Sequence, residues 1–119
     1  MSINPSSLSD NPAVPATLSA ADQLKQAWAY HISGSNAQAL PLFEALVTAD
    51  PTHIDATYGL ALTLRKLEQR DRAVSTFQQV AKLVAARANE QANDDEDSRY
   101  RMLARMIEQQ LGQLDAGQP

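Results

Sequence analysis

The feature that most constrains the fold is an internal repeat with a period of 34 residues and no gaps. Seven small or apolar residues of one segment recur as small or apolar residues 34 positions later. The pairs are Ala27 and Ala61, Tyr30 and Leu64, Ala39 and Ala73, Leu40 and Val74, Phe43 and Phe77, Leu46 and Val80, and Val47 and Ala81. Repeats of this length are typical of helical solenoids, in which each unit buries its apolar face against a neighbour. Since the chain has 119 residues, the size of one ordinary domain, we predict a single all-α domain.

Apolar residues at helical spacing predict two helices in each repeat, and turn residues mark their ends. The first helix is expected to begin after Ser19, which is followed three residues later by Asp22 in a variant of the capping box. Gly34 suits the left-handed residue that ends this helix. Pro51 cannot continue the second helix, and Thr52 is expected to cap the third. No segment alternates apolar and polar residues, so no strand is predicted.

The 34-residue unit resembles the tetratricopeptide repeat, whose pattern is W-x2-L-G-x2-Y, then A-x3-F and a closing P. The matching residues are Ala27, Tyr30, Ala39-x3-Phe43 and Pro51 in the first copy, and Leu60-Ala61 and Ala73-x3-Phe77 in the second. The departures are Gln23 and Thr57 in place of Trp, Leu64 in place of Tyr, and Ala85 in place of Pro. The resemblance implies a right-handed superhelix of antiparallel helix pairs, with about five helices.

An incomplete third copy follows the two full ones. The stretch Tyr100-x2-Leu103-Ala104-x2-Ile107 lies 43 residues after its counterpart in the second copy, so nine residues are inserted before it. We expect a single capping helix that ends at Gly112 or Gly117, because terminal repeats are usually atypical. The predicted organisation is a Pro- and Ser-rich tail (1–19), repeats at 20–53 and 54–87, an acidic linker (88–97), a capping helix (98–114) and a short tail (115–119).

Composition and motifs argue against catalysis and against several classes of partner. The chain has no cysteine, and its two histidines lie 22 residues apart without a nucleophile motif. Neither an enzyme nor a cofactor or metal site is therefore predicted, and the acidic run 94–97 lacks the spacing of a calcium loop. The net charge of −4 argues against nucleic acid as a partner. No stretch is long enough to cross a membrane. Residues 1–19 lack a secretory signal, so a cytoplasmic location is expected.

The resemblance implies that a partner binds on the concave face formed by the first helix of each pair. Helical offsets from the small residues Ala27, Ala61 and Ala104 select the side chains of this face. The candidate groove residues are Leu24, Trp28, His31, Tyr58, Leu62, Arg65, Arg101 and Arg105. Aromatic and arginine side chains are the common hot spots of interfaces. The carboxylate clamp of chaperone-binding relatives is not reproduced, since Leu24, Trp28 and Gly59 stand at its positions.

Two functions follow from these features, and both stay open at this point. The first is an adaptor that binds a protein or peptide segment, of acidic character, in the groove. Trp28 and Tyr58 would anchor it, and Arg65, Arg101 and Arg105 would read its charge. The second is a structural subunit that forms homo-oligomers through its repeat surfaces and N-terminal tail. Two and a half repeats are fewer than the usual minimum of three, which favours self-association, whereas the composition of the groove favours the adaptor. Ordinary amphipathic side chains, without a binding role, would produce the same composition.

Overall fold

A computed structural model describes residues 18–90 and 94–115 of the chain. Within these two stretches the chain forms five helices and no strand. The helices are α1 (Ala20–Ile32), α2 (Asn36–Ala49), α3 (Ile54–Lys66), α4 (Arg70–Glu90) and α5 (Asp94–Asp115). The predicted all-α fold is confirmed. Most of the predicted N-terminal tail, and the last four residues, lie outside the described stretches.

The turns within the two hairpins repeat each other 34 residues apart. Gly34, after α1, has a φ of 89°, and Glu68, at the same place after α3, has a φ of 62°. In each turn, the residue after the left-handed one donates its backbone N–H to a carbonyl five residues earlier in the chain, as in a Schellman motif. These bonds join Ser35 to Tyr30 (2.8 Å) and Gln69 to Leu64 (2.9 Å). The left-handed role predicted for Gly34 is confirmed, and its repeat counterpart takes the same backbone conformation without being glycine.

The caps of α1 and α3 differ in how well the sequence predicts them. The Asp22 N–H donates to Ser19 Oγ at 3.1 Å, which confirms the predicted cap of α1. The predicted cap of α3 by Thr52 is wrong, because the capping residue is His53. The Ala56 N–H donates to His53 Nδ1 at 3.2 Å. An imidazole nitrogen therefore replaces the hydroxyl oxygen as the acceptor for an N–H at the start of the helix.

Thr52 is instead engaged with the residue that follows α2. Its hydroxyl donates to Asp50 Oδ1 at 2.7 Å, and its backbone N–H donates to the same oxygen at 3.0 Å. These two hydrogen bonds favour the charged carboxylate and hold the pKa of Asp50 below its usual value. The pair fixes the turn between the hairpins and leaves Thr52 unable to cap α3.

Small residues let the helices of each hairpin approach closely. The alanines at the repeat positions are fully buried: Ala27, Ala39, Ala61 and Ala73. Between the hairpins, the ring of Phe43 from α2 lies against the backbone of α3 at Gly59. A Cβ atom added at Gly59 would overlap Cε1 and Cζ of that ring. The two hairpins therefore meet through a fully buried phenylalanine and a glycine that makes room for it.

The five helices lie in a row, and each packs mainly against the next in the chain. In addition, α1 and α3, the first helices of the two hairpins, approach each other to within 8 Å between Cα atoms. Between α3 and the described part of α5, no pair of Cα atoms comes that close. The spacing of the helices that face the concave side is thus narrower between α1 and α3 than between α3 and α5.

The helices bounding the inserted segment are longer than predicted. The sequence predicts an acidic linker over 88–97, but α4 continues to Glu90 and α5 already begins at Asp94. The expected end at Gly112 is also wrong, because α5 passes through it and continues to Asp115. Gly117 lies outside the described residues. The acidic run 94–97 falls in the first turn of α5.

The capping helix packs against α4 through one face. Tyr100, Ile107 and Leu114 are buried there, and Leu103 and Leu111 pack beside them. The Arg70 guanidinium at the start of α4 also donates to the Leu114 carbonyl near the end of α5. The burial predicted for the Tyr100-x2-Leu103-Ala104-x2-Ile107 side of this helix is confirmed.

Candidate partner-binding groove

Trp28 is the centre of the first half of the concave face, the part formed by α1 and the neighbouring side of α3. Its indole is half-buried and meets the ring of Phe43 edge-on, with 5.3 Å between ring centroids. His31 lies one turn further along α1, edge-on to the same indole at 5.8 Å. The His31 Nδ1–H donates to Asn36 Oδ1 at 2.6 Å, which ties the imidazole to the start of α2. Leu24, one turn before Trp28, is also partly buried against the core.

Tyr58 joins the two halves of the concave face from below. Its ring lies 6.4 Å from that of Trp28 and 6.2 Å from that of Phe77, centroid to centroid. Only 8% of the residue is exposed, and burial raises the pKa of its hydroxyl above the usual value. Tyr58 therefore supports Trp28 from beneath, and a partner meets the edge of Tyr58 at most.

The second half of the concave face contains a cavity between α3 and α5. The cavity has a volume of about 370 Å³ and is lined by Leu62, Arg65, Lys66, Glu68 and Gln110. The Arg65 guanidinium donates to Gln110 Oε1, so a polar contact bridges the two helices at this end. Two cations, Arg65 and Lys66, and one carboxylate, Glu68, line the cavity, in a chain whose net charge is −4.

A second bridge joins α3 and α5 at their other ends. Arg99 Nη2 lies 3.4 Å from both carboxylate oxygens of Asp55. The two side chains are 62% and 45% exposed, and an ion pair in such a position contributes about 0–1 kcal/mol. The contacts made by Arg99 and Gln110 define the side of α5 that faces α3.

The other two predicted groove arginines lie on a different side of α5. Counted from Arg99 and Gln110 at 100° per residue, Arg105 is turned roughly 130° away from α3, and Arg101 roughly 170° away. Both are exposed. The structure thus brings Leu24, Trp28, His31, Tyr58, Leu62 and Arg65 along one face, and it does not bring Arg101 and Arg105 to the side of α5 that borders α3.

Sequence reasoning missed the residues that α5 does present toward α3. Arg99 and Gln110 mark the side of α5 that faces α3. At helical spacing Met106 lies on this side, and Met102 lies at its edge. They are 41% and 65% exposed. The nine-residue insertion was the available signal, because an insertion of that length frees the capping helix from the register of the first two copies. Offsets counted from Ala104 assumed that the register continues.

The rest of the described surface offers little for chemistry. A second cavity, of about 250 Å³, lies beside His53 and is lined by Asp50, Asp55, Arg87 and Arg99 among others, so its acidic and basic side chains balance. Among the side chains that the structure describes, no group of three or more His, Asp or Glu is placed to hold a metal ion. None of the described helices is long and apolar enough to span a membrane.

The fold and the repeat pattern together define the class of protein. The family model of the tetratricopeptide repeat matches residues 30–107, about two thirds of the chain. This protein therefore belongs to the tetratricopeptide repeat family, and the resemblance inferred from its sequence is confirmed.

Two solved structures are similar in fold. One is a crystal structure of a tetratricopeptide repeat domain protein from Salinibacter ruber, with 23% identity and a TM-score of 0.56, covering 76% of this chain and 97% of that one. The other is a solution NMR structure of a tetratricopeptide repeat domain protein from the same organism, with 22% identity and a TM-score of 0.55, covering 79% and 91%. No curated protein is similar enough to this chain to count as a relative.

Tetratricopeptide repeat domains are generally protein–protein interaction modules, and they are usually not catalytic. No catalytic domain is identified in this chain.

Proposed function

We propose that this chain is an adaptor that binds a segment of another protein along the concave face of α1, α3 and α5. The observation that carries the proposal is the half-buried Trp28, which is held from below by Phe43 and Tyr58 and leaves part of its indole to solvent. Aromatic side chains fixed in this way contribute much to binding at little loss of conformational entropy.

The charge of the same face supports a partner with acidic groups. Arg65 and Lys66 border the cavity between α3 and α5, with Glu68 as the opposing carboxylate. Exposed cations attract acidic partners most strongly at low salt, because their field is screened within about 8–10 Å at moderate ionic strength. Arg101 and Arg105, turned away from α3, are not part of this proposal.

The test is to select peptides from a random display library on the full chain and to measure their affinity for variants. Trp28→Ala should weaken the selected peptides by about tenfold or more, as expected for an anchor. Lys66→Glu should weaken the acidic ones, and Lys82→Glu, the same charge change on the exposed side of α4, should not. Peptides that bind all of these variants equally would place the binding surface elsewhere.

Self-assembly remains a second candidate, and one observation favours it. Ile32, on the first helix of the row, and Met102, on the last, are large apolar side chains that are mostly exposed. Contact between such ends would join copies head to tail. Light scattering over a range of concentrations tests this, since a molar mass that stays at the monomer value of 13.0 kDa excludes it.

A further inference from the structure

The α3–α5 cleft, the space bordered by Leu62 of α3 and Met106 of α5, has polar bridges at both of its ends. Asp55 and Arg99 close one end, and Arg65 and Gln110 close the other. Asp55 and Arg65 are ten residues apart on α3, and Arg99 and Gln110 are eleven apart on α5. At the rise of an α-helix the two separations are roughly 15 Å and 17 Å. The two helices therefore run side by side in the same direction, with a window of that length between the bridges.

Apolar side chains occupy the window. Leu62 lies on the stripe of α3 between the two bridge residues, and Met106 and Leu103 lie on the corresponding stripe of α5. Leu62 and Leu103 pack against the core, whereas Met106 is 41% exposed. Methionine adapts its shape to what it contacts. The window thus has a firm aliphatic base and, in Met106, an adaptable edge that is partly exposed.

Resting on the function proposed above, we propose that the α3–α5 cleft is the specificity pocket of the groove. It takes one large apolar side chain of the partner between Leu62 and Met106. An acidic residue of the partner, next to that side chain, lies against Lys66 and Arg65. The cavity of about 370 Å³ at the Arg65–Gln110 end has Leu62 in its lining but not Met106, and it has room for a side chain but not for a whole helix. Charge complementarity selects an acidic neighbour, since two cations and a single carboxylate border it.

The test uses peptides selected on the wild-type chain and two variants of α5 that add the same charge. Met106→Glu places a carboxylate in the cleft, and Gln109→Glu places one on the exposed side, three residues further on. We expect the selected peptides to carry an apolar residue beside an acidic one. We expect Met106→Glu to weaken them about tenfold or more and Gln109→Glu to leave them unchanged. Met106→Gln, which adds no charge, should weaken them less, and circular dichroism of each variant verifies that it is folded.

The position of the bound peptide can be read directly. The chain contains three methionines, Met1, Met102 and Met106, and one tryptophan, Trp28. With methyl-labelled methionine, a bound peptide should shift the Met106 signal, and Trp28 fluorescence reports the other half of the groove.

Peptides that depend on Trp28 and ignore Met106→Glu would overturn the pocket and leave the adaptor function standing. If no peptide is selected, the adaptor function fails and the pocket with it. If those selected ignore Trp28→Ala, Lys66→Glu and Met106→Glu, binding along the concave face fails and the pocket with it.

Discussion

Helices α3 and α5 stand at the same position of the repeat, yet they are buried in different ways. Gly59 and Thr63 of α3 are buried, and Gly59 receives the ring of Phe43 from the preceding hairpin. Their counterparts 43 residues later in α5 are Met102 and Met106, and both are exposed. In α3 this side packs against the preceding hairpin. In the capping helix α5 the corresponding side is open to solvent.

The opposite side of the two helices explains the difference. Leu64 of α3 and its counterpart Ile107 of α5 are both fully buried. Inside the repeat this side belongs to the hairpin with α4. In the described structure α5 has no following helix of its own, and α4 is the helix that packs against it. Helix α5 therefore packs its apolar side against the preceding helix α4, because burial of apolar area is the dominant stabilising contribution.

The largest effect on stability is expected when Gly59 of α3 is replaced by methionine, the residue at the same repeat position in α5. Gly59→Met introduces a side chain whose Cβ overlaps the buried ring of Phe43. We expect a loss of at least about 5 kcal/mol in the free energy of unfolding, among the largest that one substitution causes. The reciprocal change Met102→Gly should cost only about 1 kcal/mol, through helix propensity. Urea unfolding of the two variants measures the contrast, and equal losses would show that the two helices are seated alike.

The next largest effect concerns the phenylalanine beneath the groove. Phe77 is fully buried and contacts Tyr58, so Phe77→Ala should destabilise by about 3–5 kcal/mol. Trp28→Ala should cost less, about 1–2 kcal/mol, because part of the indole is already exposed. Thermal unfolding followed by circular dichroism compares them. A larger loss for Trp28→Ala would mean that the indole belongs to the core and is not available to a partner.

Two neighbouring residues of α5 test how this helix is turned. Ile107 is fully buried and Met106 is partly exposed. Ile107→Ala should destabilise by about 2–4 kcal/mol and Met106→Ala by less than about 1 kcal/mol. Both can be measured from the midpoint of urea unfolding. The reverse order would show that α5 is seated on α4 as α3 is seated on α2, with the methionines inside.

The smallest effect on stability is expected in the turn that ends α3, which differs from the turn that ends α1 in having no glycine. Glu68 holds a left-handed φ of 62°, where Gly34 stands in the first copy. Glu68→Gly should stabilise the protein by about 0.5–1 kcal/mol, since a non-glycine residue is strained in this region. Glu68→Ala removes the same charge and keeps the strain, so it is the matched control. If both variants raise the melting temperature equally, the gain comes from the charge and not from the backbone.

The sequence predicts the two hairpins well, for physical reasons that lie within each repeat. Ala27, Ala39, Ala61 and Ala73 are small where two helices must approach closely, and Gly34 stands where the backbone turns left-handed. These requirements are local, so a pattern of residue types is enough to find them. The same register predicts Trp28 as a groove residue; its ring lies beside that of Tyr58 in α3, and its role in binding stays a prediction.

The cap of α3 and the orientation of α5 are less accessible to such reasoning. His53 is not among the residues usually expected as a cap, and Thr52 next to it is, so only the bond between Thr52 and Asp50 decides between them. The motif around Ala104 is the same whether its apolar side meets a following helix or a preceding one. Which neighbour is present depends on the packing of the whole chain. The positions of Arg101 and Arg105 depend on the same packing.

The arrangement of the helices in a row has a consequence for the opening motions of the native protein. Because α5 packs against α4 at one end of the row, it can detach while the contacts among α1, α2 and α3 stay intact. Proteins built in this way unfold in segments, and the free energy of each opening depends on the contacts that it breaks. We therefore expect backbone amides of α5 to exchange with deuterium sooner than those of the buried α3. A ligand held between Leu62 and Met106 would slow exchange in α5 most, so protection of this helix would report occupancy of the groove.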